Sequence, residues 1–153
     1  MTGRSNSASV WKSTSIIPSF AYKIGLGPLI GSKILLLTTT GRRSGNPHTT
    51  PLQYELVGGK YFIGSARGTE SDWYRNILVN PDVWIQVKSQ QFPALATPIT
   101  DIEHITNYLE LRFVRHPIMM GMMFRAQGWS AKPTRDEIQS YAQKRALVEI
   151  TPK

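Results

Sequence analysis

The sequence predicts an α+β fold, a small antiparallel β-barrel with helices flanking it. Six short β-prone runs are spread along the 153 residues. Several are joined as hairpins by tight turns rich in Gly, Pro, Asn or Ser. The regular strand–helix alternation that builds a doubly wound parallel sheet is missing.

The elements follow in order. Residues 1–10 are rich in Ser, Gly and Asn and predict a flexible tail, leaving residues 11–153 as one domain. Ile16, Ile17, Phe20 and Ile24 recur at helical spacing, with Pro18 suited to a first turn, until Gly25, Gly27 and Pro28 break the pattern. This short amphipathic helix suits a cap on the open end of the barrel. With Lys12 and Lys23 alongside, it also suits a lipid surface.

Lys33 to Thr40 reads as a buried strand, and residues 41–47 (GRRSGNP) as a turn. His48 to Val57 is a second strand in which Pro51 marks an edge or bulge. Gly58-Gly59 closes a hairpin onto Lys60 to Ala66. Ser71 is placed to cap a helix through Val79, stopped by Asn80-Pro81, and Asp72 and Arg75 are spaced to pair along it. Val83 to Val87 and Phe92 to Ile99 make two more strands. A capping box at Thr100–Glu103 opens a helix with the stripe Ile102, Ile105, Leu109 and Phe113, which His116-Pro117 ends or kinks. After a methionine-rich stretch, Thr134–Glu137 is a second capping box for a helix to about Arg145, and Ala146 to Ile150 is the last strand.

Composition narrows the function. With no cysteine, disulfides, thiolate nucleophiles and cysteine-held metals are excluded. His48, His104 and His116 lack the spacing of a helical metal pair. No apolar run approaches the roughly 20 residues that span a bilayer, and the polar start is unlike a secretory signal, so a cytoplasmic location is expected. The net charge is +8, and no acidic residue precedes Glu55, whereas Arg4, Lys12, Lys23, Lys33, Arg42 and Arg43 do. That third of the chain is expected to face an anion. No nucleic-acid motif, G-x-G-x-x-G after a strand, or Walker A sequence is present.

The most informative stretch is residues 38–52, TTTGRRSGNPHTTPL. Paired arginines in a glycine-flanked turn offer fork-shaped donors beside free backbone amides, which suits phosphate or carboxylate; a merely solvated basic turn has the same composition. Ser44, Thr49 and Thr50 add hydroxyls. Gly64, Ser65 and Ala66 leave room for a planar ligand, with Arg67 beside them. By periodicity Trp73 is a core residue.

TTTGRRSGNPHTTPL, the glycine hairpin, SARGTESDWYRNILVNP and the VWIQV strand together resemble the deazaflavin-dependent nitroreductase family. The resemblance spans roughly residues 19–100. It implies a split β-barrel of the FMN-binding type, reduced coenzyme F420 as cofactor, and hydride transfer to a small electron acceptor such as a quinone, nitroaromatic or activated enone. It also implies that Arg42, Arg43, Ser44 and His48, the last where the family often has arginine, hold the phosphate and acidic tail. Thr49 belongs to the same implied site, and Thr50, Pro51 and Leu52 would line the ring or ribityl chain. Ser65, Ala66 and Arg67 would hold the far side of the ring or the phosphate, with Ser65 as the catalytic helper and Tyr22, Tyr108 and Tyr141 as alternatives. Trp73, Tyr74 and Asn76 would shape the pocket, Asn76 structurally.

Residues 116–152 depart from the family's pattern, so a different substrate wall is expected; the methionines there suit either an adaptable apolar pocket or helix packing. FMN, another flavin or haem in the same barrel is the nearest alternative. A non-enzymatic binder of nucleic acid or anionic surfaces is the alternative from another class.

Overall fold

The computed structural model describes residues 33–65 and 67–153. The expected tail, the helix around Ile16–Ile24 with its Tyr22, and Ala66 lie outside the described residues.

Six antiparallel strands form the barrel: β1 (Ile34–Thr40), β2 (Pro47–Val57), β3 (Lys60–Ser65), β4 (Asp82–Val87), β5 (Gln90–Ile99) and β6 (Ala146–Pro152). They close in the order β1-β2-β3-β6-β5-β4, with β4 returning to β1. Period-two alternation sends Leu35, Leu37, Ile63, Val83, Ile85, Ala94, Ala96, Val148 and Ile150 into one core. Helix α1 (Asp72–Val79) adds Trp73, Tyr74 and Ile77 to that core. Gly58 and Gly59 have φ of +59° and +77°, the left-handed pair that a two-residue hairpin between β2 and β3 demands.

Strand β2 changes partners along its length. Pro47 to Gln53 pair with β1, whereas Tyr54 to Val57 pair with β3. Pro51 sits opposite Leu36 where β2 has no β3 partner, the edge position its missing N–H calls for. Beyond Ile63, Gly64 and Ser65 pair only with β6. The barrel is therefore split on one side, between the first half of β2 and the end of β3.

Three further helices cover the outside of this region: α2 (Ile102–Arg115), α3 (Pro117–Ala126) and α4 (Arg135–Ala142). They build a second core around Ile105, Leu109, Met120, Phe124, Ile138, Tyr141 and Leu147, with Phe62 and Ile99 packed against it. Phe124, fully buried, stacks on Tyr141 at 4.2 Å and meets Phe113 edge-on at 4.8 Å. The α2–α3 junction is pinned to β2 through Glu55, which is 3% exposed. Its carboxylate meets Arg115 at 3.1 Å, His116 at 3.0 Å and Arg112 at 3.5 Å.

Several boundaries differ from the sequence reading. The cap of α2 is Asp101, which accepts from the Glu103 amide at 3.3 Å, because the backbone stays extended through Asp101 and the helix begins one residue late. The methionine-rich stretch is a helix, α3, started by Pro117 after the turn at His116. The Thr134 capping box forms in full, but α4 stops at Ala142, where tight turns bond Lys144 N to the Tyr141 carbonyl and Arg145 N to the Ala142 carbonyl. Ser71 caps α1 without a side-chain bond, its hydroxyl being paired with that of Ser65.

Phe124→Ala is expected to lower stability by about 3–5 kcal/mol, as buried aromatic truncations do. Thr134→Ala, which removes one cap, should cost about 1 kcal/mol. Urea denaturation followed by circular dichroism measures both.

Candidate active site

Two concavities lie along β2, one lined as far as Thr50 and the other from Pro51 onward. The first is a polar cleft of about 430 Å³ at the β1–β2 turn. Gly41 N donates to the Asn46 carbonyl at 2.7 Å and Gly45 N to the Gly41 carbonyl at 2.8 Å, folding the turn back on itself. Around it stand Arg42, Arg43, Ser44, His48, Thr49, Thr50, Asp72, Trp73 and Asn76. Arg42, Arg43, Ser44 and His48, which the family resemblance assigned to the phosphate and tail, all line this cleft.

The two arginines do different work. The Arg42 amide donates to Asn76 Oδ1 at 3.1 Å and its Nη1 to the same oxygen at 2.9 Å. Its Nη2 pairs with Asp72 Oδ1 at 3.1 Å. Asn76, 3% exposed, in turn donates from Nδ2 to Thr39 Oγ1 at 3.1 Å. Arg42 is thus a brace between the turn and α1, not a free anion donor, and Asp72 pairs with it rather than with Arg75, whose Nε donates to the Thr69 carbonyl at 3.3 Å. Arg43 is exposed in the cleft and makes no ion pair or hydrogen bond with a described residue. Two arginines against one aspartate leave an excess positive charge, and an unengaged guanidinium beside the Ser44 hydroxyl and His48 is a donor set that fits phosphate or carboxylate.

The second concavity, about 180 Å³, lies over the split in the barrel. Its floor is Pro51, Leu52 and Gln53 of β2, Gly64 and Ser65 of β3, and Ala146 and Leu147 of β6. Its walls are Ile105, Tyr108, Leu109 and Arg112 of α2, Met120 and Met123 of α3, and Tyr141 and Arg145 at the end of α4. Gly64 leaves the floor bare: a Cβ there would meet only the Ala146 carbonyl oxygen, at 3.7 Å. An apolar slot with a few polar groups suits a flat ring.

Ser65 lies in this floor, 3% exposed, with its hydroxyl committed to Ser71. Burial raises the Tyr108 phenol well above the usual tyrosine range, so it stays protonated and donates to the Phe62 carbonyl at 3.3 Å. Arg67 is exposed and lines neither concavity. Tyr74, 4% exposed, packs in the barrel core and lines neither; Trp73 serves both the core and the polar cleft. The sequence reading missed Gln53, Arg112 and Arg145 in the slot. None sits in a motif; Gln53 follows Leu52 on β2, whereas only the packing of the helices over the split brings Arg112 and Arg145 there. No helix among the described residues is long and apolar enough to cross a membrane.

Residues 14–116 match the family model described as F420H(2)-dependent quinone reductase. The chain belongs to that family. An F420H(2)-dependent quinone reductase of Mycobacterium tuberculosis is 40% identical over 68 residues, 42% of this chain and 46% of that protein. The chain thus matches about half the length of its curated relatives.

Among solved structures, an F420H2-dependent reductase has a TM-score of 0.53 at 23% identity, covering 77% of this chain and 93% of that one. A putative pyridoxamine 5′-phosphate oxidase from Listeria innocua has a TM-score of 0.54 at 14% identity, over 84% and 90%. These two likenesses show the fold.

Asn76→Ala is expected to lower stability by about 2 kcal/mol, since it leaves the Arg42 amide without its acceptor and the buried Thr39 hydroxyl without its donor. Arg43→Ala should leave the denaturation midpoint unchanged. Parallel urea titrations separate the brace from the free cation.

Proposed function

We propose that this protein is an F420H2-dependent reductase that passes a hydride to a small acceptor, with a quinone, nitroaromatic or activated enone as the acceptor class. The observation that carries the reading is the pair of adjoining concavities on β2, one cationic and one apolar, in a chain of this family. In this reading residues 11–153 act as one cofactor-binding unit, in the cytoplasm.

Arg43, Ser44 and His48 would hold the cofactor's phosphodiester and carboxylate tail, with Arg42 keeping the turn in shape. Thr49 and Thr50 would flank the connecting chain, Thr49 already sharing a 2.8 Å hydrogen bond with Thr38. Pro51, Leu52 and Ser65 would seat the ring, and Ala66 adjoins them in sequence. The reduced deazaflavin, when bound, supplies a hydride, the difficult part of the chemistry. The protein's share is alignment and exclusion of water by the helices over the slot. Ser65 acts by position: its bond to Ser71 ties the end of β3 to the start of α1, between the two concavities. The amphipathic stretch around Ile16–Ile24 would give a peripheral membrane contact.

Titration with oxidised coenzyme F420, and with FMN in parallel, tests the reading through quenching of ligand fluorescence. Deazaflavin binding in the micromolar range or tighter is expected, weakened about tenfold by Arg43→Ala, the size of one charge-assisted contact. Tight FMN binding without deazaflavin binding would reassign the barrel to a flavin.

A further inference from the structure

One cation in the wall of the slot is not satisfied by the packing around it. Arg112 of α2 lines the slot, and its side chain is 11% exposed. Its Nη2 donates to Gln53 Oε1 at 3.2 Å. Its Nε is buried with no hydrogen-bond partner, 3.5 Å from Glu55 Oε2. Its Nη1 donates to no described residue.

Glu55 does not fully neutralise this guanidinium. Its Oε1 meets Arg115 at 3.1 Å and its Oε2 meets His116 at 3.0 Å, so the shorter contacts go elsewhere. One carboxylate thus serves two permanent cations, Arg112 and Arg115, and no acidic residue lines the slot. A guanidinium largely out of water and short of acceptors is costly until an oxygen completes it. Other polar groups of the lining are engaged. The Ser65 hydroxyl pairs with Ser71, the Tyr108 phenol donates to the Phe62 carbonyl, and the Tyr141 hydroxyl accepts from Gln127 Nε2 at 3.3 Å. Arg145, beside β6, stacks its guanidinium 4.1 Å from the centre of the Tyr141 ring.

We propose that Arg112 makes the slot select a deazaflavin ring over a flavin ring, by pairing with the ionised ring hydroxyl that coenzyme F420 carries where FMN has a methyl group. The inference rests on the reductase reading and deepens it. Along β2 the lining passes from Thr50 in the polar cleft to Pro51, Leu52 and then Gln53, the partner of Arg112. A ring seated on Pro51 and Leu52, with its tail in the cleft, would have its far end toward that pair. The ring hydroxyl is conjugated with carbonyl groups, so it ionises more readily than a simple phenol. A methyl group in its place would leave the Arg112 Nε and Nη1 without an acceptor. Two effects compete at the bound hydroxyl. Burial disfavours the anion, whereas a cation within about 4–6 Å favours it by roughly 1–3 pH units. Burial wins at Tyr108, whose hydrogen bond goes to a neutral carbonyl. At the ring the unsatisfied guanidinium wins.

The test reads the charge of the bound ring and needs no turnover. Oxidised coenzyme F420, held on the full chain at saturation, is titrated with acid while the visible absorption of its ring reports the hydroxyl. The midpoint is expected at least about one pH unit below that of the free coenzyme. Arg112→Gln should return the midpoint to the free value or above it. The same variant should weaken deazaflavin binding about tenfold and leave FMN binding unweakened. Arg115→Gln, which removes another partner of Glu55 but lines no part of the slot, should leave the midpoint in place.

A midpoint at or above that of the free coenzyme overturns the proposal and leaves the reductase reading standing. So does a midpoint that Arg112→Gln does not move, or that Arg115→Gln moves equally. Failure of the deazaflavin to bind at all sinks both. Should Arg112→Gln not fold, the double variant with Glu55→Gln takes its place, because it removes the buried carboxylate together with its partner.

Discussion

The structure depends on the point at which β2 leaves one neighbour for another. Up to Gln53 the strand is bonded to β1; from Tyr54 it is bonded to β3. A barrel of only six strands has little room inside, and here the side chains of the barrel core fill it. A ligand must therefore sit on the wall. Parting β2 from β3 over a few residues provides a place where backbone is exposed without a ladder partner, and Pro51 removes one donor that would otherwise seek one. The helices α2 to α4 then roof that place, and Glu55 fastens the roof to the same strand.

The polar end follows a similar economy. One buried amide, Asn76, satisfies the Arg42 amide, the Arg42 guanidinium and the Thr39 hydroxyl together. With the turn secured from behind, its neighbour Arg43 can face outward without being needed for folding. Adjacent identical residues thereby separate into a structural one and an exposed one that faces the cleft, a division that composition cannot reveal.

Much of the barrel was legible in the sequence because its signals are local. Period-two runs, Gly58-Gly59, and the Thr134–Glu137 box each act within a few residues. The polar cleft was legible too, since Gly41 to Thr50 lie on one turn and one strand and need only α1 as a neighbour. The floor of the slot was legible in part, at Pro51, Leu52, Gly64 and Ser65, but its walls were not, because they come from positions as far apart as Ile105, Met120 and Arg145, joined by tertiary packing alone. Arg67 and Tyr74, which the family resemblance placed at the site, line neither concavity, Arg67 being exposed and Tyr74 packed in the barrel core. Helix α3 was ambiguous for a physical reason, as methionine packs equally well in a core and around a ligand. Met120 does both, being 1% exposed within the second core while lining the slot.

The place of β6 has a further consequence. It lies between β3 and β5, and its outward-facing Leu147 belongs to the helical core while Val148 belongs to the barrel. Until β6 arrives, β3 and β5 are unprotected edges and neither core is complete. A nascent chain emerging from the ribosome therefore carries two open sheet edges through the synthesis of α2, α3 and α4. Those edges invite pairing with other chains, so during biogenesis the protein's exposure to aggregation is set by the delay between its fifth strand and its sixth.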